Sequence, residues 1–84
     1  MKTDKEALRE GESALGHARS QIHMVCDKIV SVVNSARESN DSPKFNRAAD
    51  EIISTVAAIR STAENMVELG RKLEQLRTIV EEFD

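Results

Sequence analysis

Between residues 5 and 38 apolar side chains recur at every seventh position, at Leu8, Leu15, Ile22, Ile29 and Ala36, with Ala18, Val25 and Val32 three residues after three of them. Only a helix gathers such positions on one face, as the seam of a coiled coil does. The spacing predicts a first helix over about 5–38. Gly11 and Gly16 each weaken its opening turns by about 1 kcal/mol relative to alanine, so fraying is expected before about residue 17. The stretch Glu38-Ser39-Asn40-Asp41-Ser42-Pro43 then collects residues that leave helices. Asn40 and Asp41 tolerate the left-handed region, and Ser42 before Pro43 reads as an N-cap followed by a proline at the first helical position. A turn is expected at about 39–43.

The seven-residue period resumes beyond the turn at Phe45, Ile52, Ile59, Met66, Leu73 and Val80, while Ala49, Val56, Ala63 and Gly70 each follow by four. A second helix is predicted over about 43–82. At a rise of 1.5 Å per residue the two helices would be about 50 and 60 Å long and could lie antiparallel with matched ends. The small residues Ala49, Ala63 and Gly70 would let the backbones approach closely, toward the lower end of the usual interaxial distance of about 8–10 Å. The fold class expected is an all-α, antiparallel two-helix hairpin forming one domain over 1–84.

Apolar side chains spill beyond a single stripe. Cys26, Val30 and Val33 flank the seam of the first helix, and Ile53, Val67, Leu69, Leu76, Ile79 and Phe83 flank that of the second. Leaving each in water forgoes about 1.5–3 kcal/mol of burial, and clustered apolar flanks mark interfaces. Val30, Val33, Ile53, Val67, Leu69, Leu76, Ile79 and Phe83 are therefore candidate partner-interface residues, with the hairpin completing a four-helix bundle with a second copy or another protein. The alternative is that Val30, Val33 and Ile53 only widen an ordinary seam. Size points the same way as pattern: a chain of 84 residues buries only about 60% of its unfolded surface, and small domains usually need a metal, disulfides or oligomerisation.

Composition removes several alternatives. Cys26 is the only cysteine, so no internal disulfide can form. Twelve basic against fifteen acidic residues give a net charge of −3, and the halves 1–42 and 43–84 carry six basic with seven acidic and six basic with eight acidic groups. No basic arm or stripe is present, which argues against nucleic acid as a partner. No apolar segment approaches eighteen residues, and no apolar stretch follows the charged N-terminus. Membrane insertion and a Sec-type signal are thus not expected, leaving a cytoplasmic chain or one exported by a Sec-independent route.

Candidate chemistry is sparse. His23, Cys26 and Asp27 share one helical face at spacings of three and four residues, yet the second helix offers no His or Cys to complete a metal site. Cys26 reads as a small hydrophobe and His23 as solvated, with His17 on a different face. A Cys–His pair within one helix would lack a cleft and an oxyanion hole. Adjacent acids such as Asp50-Glu51 and Glu81-Glu82 point to different sides and read as solvated charge, in pairs such as Glu68 with Lys72. No catalytic residue, metal or cofactor is expected.

The arrangement of about forty helical residues, a short polar break followed by Phe45, and about forty more ending on Phe83-Asp84 resembles the WXG family of small helical hairpins. It is also similar to the LXG-associated helical proteins that accompany effectors of the Gram-positive type VII secretion system. The break here reads Asn40-Asp41-Ser42-Pro43-Lys44-Phe45, without the family's Trp-x-Gly, which departs from WXG members and tolerates an LXG-associated one. The resemblance implies a protein that pairs with the helical N-terminal domain of a secreted toxin, with Phe83 as the candidate aromatic of a C-terminal signal; the acid expected four positions beyond it would fall past Asp84, where the sequence stops. The Ala- and Ser-interleaved run from Ala48 to Ile59 also looks like a chemoreceptor-type coiled coil, which implies a homodimeric structural or signalling hairpin. A phage assembly or regulatory factor would share the same helix physics.

Overall fold

The computed structural model describes residues 3–83. Asp84, which closes the aromatic-plus-acid ending, lies outside them. Two helices, α1 (Asp4–Arg37) and α2 (Pro43–Glu82), pack antiparallel against each other, and no strand occurs among the described residues. The hairpin measures 63 × 19 × 14 Å. Its long axis matches the length of a straight 40-residue helix.

Each boundary has a local cause. Thr3 caps α1, its Oγ1 accepting from the backbone N–H of Glu6 at 3.2 Å, with Asp4 and Glu6 favourably placed in the first turn. Helix α1 then runs unbroken through Gly11 and Gly16, so the expected fraying before residue 17 does not occur. Contacts across the hairpin explain the difference. A Cβ built on Gly11 would lie 4.0 Å from Leu73 Cδ1, and Arg77 of α2 holds Glu12 at 2.7 Å.

At the turn, Asn40 donates from Nδ2 to the carbonyl of Ala36 at 2.9 Å, which also accepts from the Ser39 N–H at 3.3 Å, and so helps close α1 with its side chain. No residue in the described chain has a positive φ, so the turn uses the hydrogen-bonding capacity of Asn40 rather than its tolerance of the left-handed region. Ser42 caps α2 by accepting from the Phe45 N–H at 3.1 Å, with Pro43 at the first helical position, where its missing N–H costs nothing.

The helices meet on small side chains. Cys26, Ala49, Val56 and Ala63 are buried, with Ala63 fully so, and a Cβ built on Gly70 would reach Leu15 Cδ2 at 3.6 Å. The row Ala49, Val56, Ala63 and Gly70 thus forms the centre of the seam on α2. Its counterpart on α1 is the row four residues after each large apolar position, Glu12, Arg19, Cys26 and Val33. The row three residues after, Ala18, Val25 and Val32, is exposed instead. The expectation that Val25 and Val32 line the seam is therefore corrected. Close approach over alanine and glycine leaves room for the stems of Glu12 and Arg19, whose charged ends reach outward to α2 partners.

Replacing Ala63, which is 0% exposed between the helices, with leucine should force the helices apart and lower stability by about 1–3 kcal/mol in denaturant melts. Gly16→Ala meets nothing within 4 Å and should raise stability by up to about 1 kcal/mol in the same measurement.

Candidate protein-binding face

The large apolar heptad positions lie to one side of this small-residue seam, and both helices place them on the same side. Val32, Val33 and Ala36 share a wholly apolar depression with Phe45, Ala48 and Ile52; Ile22, Val25 and Ile29 share the next with Ile59. Toward the free ends Ala7 and Leu8 adjoin Leu76 and Val80. These shallow grooves lie along the same side of the hairpin and mark an apolar face. Val25 is 55% exposed, Val32 53%, Ile52 44% and Ile59 43%, so four side chains that a coiled coil would bury are half in water.

Two threonines on the face behave as apolar residues. Thr55 and Thr62 donate their hydroxyls to the carbonyls of Glu51 and Ala58 in their own helix, at 3.0 and 3.2 Å. Their methyl groups are left as the free surface.

The opposite side of the seam is polar and carries ion pairs between the helices. Arg37 meets Asp50 near the turn, Arg60 meets Asp27 at 2.6 Å, and Glu64 receives both Arg19 at 3.1 Å and His23 Nε2 at 2.9 Å. At the free ends Arg77 bridges Glu12 and Glu81, at 2.7 and 2.9 Å, and Arg9 adds to Glu81 at 3.3 Å. Hydrogen bonds from Arg19 and then His23 hold the Glu64 carboxyl below the ordinary glutamate value of 4.5, and Arg77 does the same for Glu81. Each exposed pair contributes little, about 0–1 kcal/mol, but together they fix which residues stand level across the hairpin.

The proposed interface residues divide between these environments. Leu69 and Leu76 are half-exposed and continue the apolar face, Ile79 is half-exposed on the next heptad row, and Phe83 at the end of α2 is 85% exposed. Val30, Val33, Ile53 and Val67 are half-buried at the hairpin's own seam. Val30 shares a heptad row with His23 and Arg37, and Ile53 and Val67 share one with Arg60, all of which reach across to the other helix. Val30, Ile53 and Val67 widen the internal seam, and Val33 lies both there and in the groove with Val32, Phe45 and Ile52. Val25, Val32, Ile52 and Ile59 are more exposed than these four and lie on the apolar face. Of the expected turn residues, Asn40, Asp41 and Ser42 stand between the helices, and Pro43 opens α2.

Other expectations change in detail. His23 is paired with Glu64 rather than solvated, Cys26 sits in the centre of the seam rather than at its flank, and Glu68 pairs with Arg71 at 3.4 Å rather than with Lys72. No group of three or more His, Cys, Asp or Glu side chains is placed to hold a metal ion among the described residues. No described helix is long and apolar enough to cross a membrane. Comparison with protein-family models, curated proteins and solved structures found no match.

The depressed carboxyl groups give a pH dependence of known sign. A folded-state pKa below the unfolded one stabilises the hairpin above the unfolded value and loses that contribution as pH falls through the folded value. Stability should therefore decline on acidification below about 4.5. Glu64→Gln should flatten this decline in thermal melts across the acid range; an unchanged acid limb would count against the Arg19–Glu64–His23 cluster as its origin.

Proposed function

We propose that this chain is a non-enzymatic, protein-binding helical hairpin that supplies two helices to a four-helix bundle. The observation that carries the reading is the position of the large heptad residues. They lie beside the seam between α1 and α2, on one face built by both helices, where only further helices can cover them. The titratable groups with displaced pKa values, Glu64, Arg77 and Glu81, belong to the ion pairs of the opposite face, where they hold the helices in register.

The likeness to LXG-associated hairpins supplies a partner class, the helical N-terminal domain of a toxin exported by a type VII system. In that setting the apolar face would dock on the toxin's helices. Phe83, exposed at the end of α2, would remain free for recognition by an export apparatus that does not read a Sec signal. Co-expression with the helical domain of an LXG-type toxin from the same gene neighbourhood should yield a co-purifying complex. Ile52→Asp or Leu76→Asp should abolish it while circular dichroism remains helical, and Glu64→Gln should leave it intact. A complex that tolerates both aspartates would show that association uses another surface.

A further inference from the structure

We infer that the apolar face is covered by a second copy of this chain, related by a two-fold axis that passes α1 at Val25 and α2 at Thr62, with the two turns at opposite ends of a four-helix bundle. The inference rests on the reading of this face as a helix-binding surface and names its occupant in the isolated protein. A toxin-type partner would have to displace that copy.

Surface area is the first argument. The hairpin exposes 6359 Å², whereas a compact monomer of 9.3 kDa exposes about 5,000 Å². The surplus of roughly 1,400 Å² falls within the range of about 1,000–2,500 Å² that each subunit of an obligate dimer buries. One further hairpin of the same size removes the surplus; a single peptide or helix end does not.

Self-complementary shape is the second. The pairs Asp27–Arg60, His23–Glu64 and Arg37–Asp50 set Val25 level with Thr62. The outward row of each helix runs from small to large along the chain: Gly11 and Ala18 precede Val25 and Val32 on α1, and Ala48, Thr55 and Thr62 precede Leu69 and Leu76 on α2. A two-fold at Val25 and Thr62 reverses one copy against the other. It sets Val32 against the partner's Ala18, Leu69 against the partner's Thr55, and Leu76 against the partner's Ala48. Large meets small along both helices, with one register serving α1 and α2 together.

Charge selects between the two ways of stacking the hairpins. With turns at opposite ends, Glu51 comes beside the partner's Lys72, and symmetry makes the pair twice. Neither side chain has an ion pair within the hairpin among the described residues. With turns at the same end, α1 would lie over the partner's α2, leaving Glu51 beside the partner's Ser35 and Lys72 beside the partner's Ala14. Sizes would still match there, but the charges would not be paired.

The test uses the full chain with Cys26→Ala to remove the native thiol. Light scattering should give twice the 9.3 kDa chain mass. Val25→Cys alone and Thr62→Cys alone should each form a disulfide-linked dimer under oxidation. Glu51→Lys should weaken the dimer roughly tenfold, as expected for two surface pairs at up to about 1 kcal/mol each, and adding Lys72→Glu should restore it. Cross-linking only between a Val25→Cys copy and a Thr62→Cys copy would overturn the two-fold proposed here. A weakly helical monomer that gains helix with the toxin domain would overturn the second copy and leave the binding face standing. A cooperatively melting monomer indifferent to Ile52→Asp would overturn both.

Discussion

Close approach of α1 and α2 over Cys26, Ala49, Val56 and Ala63 governs the whole molecule. Where the helices meet over Ala49, Ala63 and Gly70, little room is left for a full row of large side chains directly between them. The large residues of each heptad are displaced to the shoulder of the contact. Because the helices are antiparallel and both carry the large row on the same side of the small one, the displaced residues converge on one face. The opposite shoulder receives the long polar side chains. A hairpin with a thin core, an apolar face and an ion-paired face follows from that single spacing.

The two faces act at different levels. Among the described residues four are buried, Cys26, Ala49, Val56 and Ala63, so the fully buried part of the seam gives little of the hydrophobic stabilisation that holds domains of this size together. The ion pairs contribute modestly in energy, but they are spaced from Arg37–Asp50 at the turn to Arg77–Glu12 at the free ends. Sliding one helix by a turn would break all of them at once. Their effect is to hold Val25 level with Thr62, and Ile22 and Ile29 beside Ile59, so that the apolar face is presented as one fixed surface.

Much of this was legible in the chain. The seven-residue periods gave both helices, and Asn40 to Pro43 located the turn because the capping chemistry of Ser42-Pro43 is local. The rows facing the other helix were only partly legible. A large apolar row flanked on both sides by candidate companions is compatible with either, and on α1 the companion three residues on, Ala18, Val25 and Val32, is the more apolar. The structure uses the other, in which Glu12 and Arg19 sit beside Cys26 and Val33. What decides is the interhelical distance, and that is set by Ala49, Ala63 and Gly70 in a different helix. Reading those small residues together with the charges at Glu12, Arg19, Arg60 and Arg77 would have located the internal seam, since each charge has an opposite partner level with it across the hairpin.

The same logic bears on why the face has its particular chemistry. Polar residues such as Gln21 and Glu51 stand at the edge of the face, while Thr55 and Thr62 within it have their hydroxyls tied to their own helix. That device keeps the face dry without making it as adhesive as a row of leucines. Across the seam, arginine stems fill the space left by small residues and carry their charge outward, so the polar side attracts no further helix. One side of the hairpin is thereby polar and ion-paired and the other apolar, and the distinction is made by residues three and four positions apart on the same two helices.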